Sequence, residues 1–129
     1  MSAPITIVIP GMHSWQRPRA HQVGGKLVFF TDKATREFVD LVAVKAREAI
    51  KHPLQGYYAV KVVGYTANFR SRDFDRVLNG VMDGLVKSGR VRDDRYAWKM
   101  SVERRLTDGQ ERIEVELMEY EPRREGALV

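Results

Sequence analysis

Cysteine is absent from this chain of 129 residues. That excludes disulfides, thiolate metal sites and a thiol nucleophile, and it suits a reducing compartment. Long hydrophobic runs are also missing. The N-terminal run from Ile5 to Ile9 is short and bounded by Pro4 and Pro10, and nothing approaches the ~20 apolar residues that span a bilayer. No basic segment precedes that run, so it does not read as a signal peptide. A soluble, cytoplasmic protein with no membrane partner is expected. Histidine is scarce: His13 and His21 fall in one basic loop and His52 at a helix end, without ligand-set spacing. Neither a nucleophile-elbow serine nor a phosphate-cradling glycine loop is present.

What is present is enough for one core. The chain is 43% hydrophobic and 30% charged, too apolar for disorder and short enough for a single domain over residues 1–129. The formal charge of +5 favours acidic partners, nucleic acid among them.

Ile5 to Ile9, β-branched throughout, reads as a first strand. Pro10 to Gly25 reads as irregular, since Pro18 rules out a helix interior and extends Arg17. The Arg17-Pro18-Arg19 segment is either a solvated loop or an arm that contacts phosphates. Gly24-Gly25 reads as a turn and Lys26 to Phe30 as a short extended piece. A helix follows, with Thr31 as N-cap, Asp32 in its first turn and an apolar stripe through Phe38, Leu41, Val42, Ala49 and Ile50. Tyr57 to Ala67 reads as an interior strand. From Asp75 a second helix carries Val77, Leu78, Val81, Met82 and Leu85, with Gly89 as its stop. Gly80 and Gly84 each cost that helix ~1 kcal/mol against alanine, which points to close backbone approach.

Tyr96, Trp98, Met100 and Val102 alternate with polar residues as a half-buried strand. An Asp108-Gly109 turn then predicts a hairpin with the strand through Ile113, Val115 and Leu117. Residues 121–129 read as a disordered tail. The sum is an α+β domain, a mixed four-stranded sheet covered by two helices in the order β-α-β-α-β-β.

The chemistry gathers between Phe69 and Asp94. Asp73 and Asp75 lie two apart, so an extended backbone would project both carboxylates to one side. Asp93-Asp94 precedes a later strand and meets the first pair if the two strands are sheet neighbours. Converging carboxylates make a hard oxygen site for Mg²⁺ or Mn²⁺, which can activate water and clamp a phosphodiester. Arginines 70, 72, 76, 90, 92 and 95 would hold a phosphate backbone near that negative charge. The plainer alternative makes Asp75 a helix N-cap and Asp93-Asp94 turn formers.

The Gln16-Arg17-Pro18-Arg19 loop, Phe30 to Phe38, Arg72-Asp73-Phe74-Asp75, Met82-Asp83-Gly84-Leu85 and Gly89 to Asp94 together resemble, in order and spacing, the RusA family of Holliday junction resolvases. These are small bacterial and prophage endonucleases. The resemblance implies a homodimer that binds four-way DNA junctions and nicks two strands symmetrically with Mg²⁺ or Mn²⁺ in recombination and repair. It implies Asp73, Asp75 and Asp94 as catalytic metal ligands with Asp93 as an adjunct. Arg17, Arg19, Arg70, Arg72 and Arg76 are the expected DNA contacts. The family pattern usually continues Asp-x-Asp-Asn-x-x-Lys; here Arg76 and Asn79 stand at its asparagine and lysine. An arginine does not reproduce a lysine's proton chemistry, so a junction-binding protein impaired in cleavage is the second expectation. A small basic protein acting within a protein complex is the third.

Overall fold

The computed structural model describes residues 3–11, 19–23, 26–30, 33–68 and 74–126; for 19–23, 26–30, 34, 74 and 75 it describes the backbone only. Its elements are β1 (Ile5–Pro10), β2 (Arg19–Val23), β3 (Lys26–Phe30), α1 (Lys33–Ala49), β4 (Tyr58–Thr66), α2 (Phe74–Ser88), a 3-10 turn (Asp94–Tyr96), β5 (Ala97–Leu106) and β6 (Arg112–Glu119). One four-stranded sheet in the order β1-β6-β4-β5 carries the two helices, which is the expected α+β architecture.

Alternation decides which face is buried. Along β4, Tyr58, Val60 and Val62 point into the core and Lys61 to solvent; on β6, Ile113, Val115 and Leu117 do the same. Ile7 and Ile9 of β1 complete that face. Over it lie Phe38, Val42, Ala46 and Ile50 of α1 and Val77, Val81, Met82 and Leu85 of α2. The helices meet at Gly84, where a Cβ would stand 2.5 Å from the Val42 Cβ and 2.9 Å from the Val39 carbonyl oxygen. Glycine is there because nothing larger fits. Gly89, with φ of 73°, ends α2 in the left-handed region. Arg47 of α1 donates to the carbonyls of Lys87 and Ser88 at 3.3 and 3.4 Å, neutralising that helix end.

Four details depart from expectation. Arg19–Val23, read as irregular, pairs antiparallel with Lys26–Phe30 as a separate two-stranded sheet. Second, β5 and β6 are consecutive but do not form a hairpin. β4 lies between them, parallel to β5 and antiparallel to β6. The connecting turn straddles the end of β4, with Thr107 N–H on the Thr66 carbonyl at 2.9 Å and the Glu111 carboxylate accepting from Ala67 N–H at 2.8 Å. Third, β5 is an edge strand exposed along almost its whole length rather than half-buried. Fourth, α2 begins at Phe74, so Asp75 has helical backbone. Asp75 is therefore not the N-cap of α2, and the extended geometry expected to persist to it does not. Asp73 itself, the Thr31 cap, Asp32 and the Gly24-Gly25 turn lie outside the described residues, as do residues 127–129 of the tail.

Candidate functional site

The two sheet neighbours β4 and β5 are parallel, so the Asp93-Asp94 segment stands beside the start of β4, the end opposite the one that leads towards Asp73. What closes the gap is α2, which runs back along the sheet. Asp94 meets that helix at mid-length: it lines an open cleft of about 430 Å³ with Leu78, Asn79, Met82 and Asp83 of α2 and Met100 of β5. Asp75, Asn79 and Asp83 follow one another at four-residue steps along α2, each a rise of about 6 Å. The cleft therefore has an apolar floor and a polar rim whose helical row leads back to the turn that holds Asp75.

Tyr58 fixes the Asp94 end. Its buried phenol donates to the Arg92 carbonyl at 3.1 Å and reaches that of Asp93 at 3.4 Å. Burial first, then the charges of Asp94 and Asp93, push its pKa up to about 12. The Leu54 N–H adds a bond to the Arg90 carbonyl at 2.9 Å. Arg92 lies over the Tyr96 ring at 4.5 Å and donates to the Gln55 carbonyl at 3.2 Å. The segment is pinned from three sides.

Within it the two aspartates have separate roles. Asp93 caps the 3-10 turn, accepting from Arg95 N–H at 2.9 Å and pairing with the Arg95 guanidinium at 3.0 Å. Those bonds hold its carboxyl below the usual carboxylate range. The turn-former reading of Asp93 is thus fulfilled, whereas the exposed Asp94 is left facing the cleft. Across from it the Asp83 carboxyl is pushed up, by partial desolvation first and by the charge of Asp94 second. In the sequence Asp83 stands out only within the RusA-like stretch Met82-Asp83-Gly84-Leu85. Its four-residue step from Asn79, and eight from Asp75, was the signal that could have found it.

Of the other expected residues, Arg76 lies half-buried in the first turn of α2 and is engaged with a partner. Arg19 opens β2. Arg17, Arg70, Arg72 and Asp73 lie outside the described residues, and for Asp75 the structure places the backbone alone. Among the described residues no three histidine, aspartate or glutamate side chains are grouped to hold a metal. The donors that do converge on the cleft, Asp94, Asp83 and the Asn79 amide, are all oxygen donors, the hard type that Mg²⁺ takes. Among the described residues, no helix is long and apolar enough to cross a membrane. No protein-family model matches the chain, and no curated protein matches it.

Proposed function

We propose that the chain is a metal-dependent, structure-selective DNA endonuclease that resolves four-way junctions by symmetric nicking, as a cytoplasmic homodimer in recombination and repair. The observation that carries this reading is Asp94, pinned by Tyr58 through the neighbouring backbone and facing the row that leads from Asp83 and Asn79 to the turn of Asp75. The likeness to RusA resolvases supplies the substrate class. Asp73, Asp75 and Asp94 hold Mg²⁺ or Mn²⁺, with Asp93 contributing mainly by shaping the turn. When bound, the ion supplies an activated water and neutralises the phosphate. Arg17, Arg19, Arg70, Arg72 and Arg76 engage phosphates and offset the carboxylate charge.

Replacing Asp75 by Asn tests it. The variant is expected to bind a synthetic four-way junction with near-native affinity and to lose nicking at least a hundredfold in Mg²⁺ or Mn²⁺. Full cleavage by Asp75→Asn would remove that residue from the mechanism. A second reading, a junction-binding protein without catalysis, is favoured by Asn79. It lines the same cleft where the family has a lysine, and its neutral amide can donate a hydrogen bond but has neither the charge nor the transferable proton of an ammonium. Tight junction binding by the wild type with no nick at any metal concentration would establish that alternative.

A further inference from the structure

The sheet has two edges, and they are unlike. β1 is short, six residues ending in Pro10, and Pro4 precedes it; prolines cannot donate to a further strand. β5 runs for ten residues, and among the described residues nothing pairs with the outer side of its backbone. Met100, Val102 and Leu106 stand opposite Val60, Val62 and Thr66 of β4, so they extend the core face of the sheet. Yet Met100 remains 53% exposed and Leu106 51%, with Trp98 at 57%. Met100 also lines the cleft beside Asp94, but the exposure of Val102 and Leu106 has no such use, and exposed apolar residues on a long edge strand invite pairing with another chain.

We infer that β5 is the seam of a symmetric homodimer, in which two copies pair antiparallel about a two-fold axis at Ser101 and continue the sheet from one protomer into its partner. The occupant is a second copy because the strand is complementary to itself in one register. A dyad at Ser101 sets Lys99 opposite Glu103 of the partner subunit, twice, on the solvent face. On the core face it sets Met100 opposite Val102 of the partner subunit, an apolar pair that the dyad repeats. Moving the dyad to Val102 places Lys99 against Arg105 of the partner subunit, like charges in direct opposition. Moving it to Met100 leaves Lys99 against Ser101 of the partner subunit, with no charge pair. Edge charges usually protect a strand from self-association; here they select one register for it. The Glu103–Arg105 ion pair within each protomer keeps the glutamate on that edge.

This inference names the interface of the homodimer proposed above, but it rests on the strand edge and its test reads no DNA, so either can fail alone. The absence of cysteine makes the test clean. In Ser101→Cys the two thiols would lie across the dyad, at the ~4.5–5.5 Å Cα separation of an antiparallel pair, within disulfide reach. Mild oxidation is expected to give mostly covalent dimer, and Arg105→Cys, far from its own copy in this register, little. In sedimentation, Lys99→Glu and Glu103→Lys are each expected to weaken the dimer at least tenfold. The double exchange should restore it, with circular dichroism showing all three folded. A monomeric wild type at 100 µM order of concentration, no cross-link at position 101, or a dimer indifferent to the single reversals would each overturn the inference.

Discussion

Tyr58 does more for the cleft than its distance from the acidic residues suggests. It is the first residue of the central strand, and one hydroxyl ties that strand to the backbone on which Asp94 stands. Removing it in Tyr58→Phe leaves the Arg92 carbonyl short of its donor, at a cost of about 1 kcal/mol by denaturant titration at pH 7. The same group sets a pH dependence. Below pH 10 the phenol is neutral in folded and unfolded chains alike. Above it the unfolded chain releases the proton while the folded one keeps it until about 12. Stability is therefore full below pH 10 and falls as pH rises through that window, by roughly 2–3 kcal/mol. Tyr58→Phe should show a flatter loss between pH 9 and 12; an equally steep loss would acquit Tyr58. Asp94 carries a further expectation. Saturating Mn²⁺ should raise the melting temperature of the wild type, about 2.7 kcal/mol of stabilisation at a hundred times the dissociation constant. Asp94→Asn should lose most of that gain.

Between elements, the closest approach is α2 against α1 at Gly84. Gly84→Ala adds up to ~1 kcal/mol of helix propensity, but its methyl meets the Val42 Cβ at 2.5 Å. The overpacking outweighs the gain, so a net loss of about 1–3 kcal/mol is expected by urea denaturation. In the double variant Val42→Ala should relieve part of that loss, giving less than the sum of the two single effects. The cost of a helical glycine was readable in the sequence, and so was the close contact it implies. Periodicity likewise placed both helices, the interior β4 and the core face of β6, because burial on one face writes itself into spacing, whereas β1 was placed by its β-branched composition alone. Pairing across the sheet was not readable. The Asp108-Gly109 turn promised a hairpin, but a turn signal cannot say whether a third strand will lie between its arms. The Trp98-Met100-Val102 alternation reads as burial against the same chain, and nothing local distinguishes that from burial against another. At the site, the Asp93-Asp94 pair was visible but its division of labour was not. That depends on Arg95 folding back on Asp93 and on Tyr58, which is far away in sequence.

For the whole molecule, a seam through β5 makes stability depend on concentration. The melting temperature of the wild type should rise with protein concentration over two decades, whereas that of Lys99→Glu should stay flat. The order β1-β6-β4-β5 has another consequence, for the route by which the chain folds. Among the described residues β1 has one sheet neighbour, β6, which follows it by about a hundred residues. The loop between β5 and β6 must also close around β4 rather than zip up as a local turn. During synthesis β1 therefore waits for β6 to emerge, with Ile7 and Ile9 still exposed. Folding is set by these long-range closures, which makes it slower than helical content alone would suggest. Emergence of β6 from the ribosome, rather than formation of either helix, is the event that completes this core.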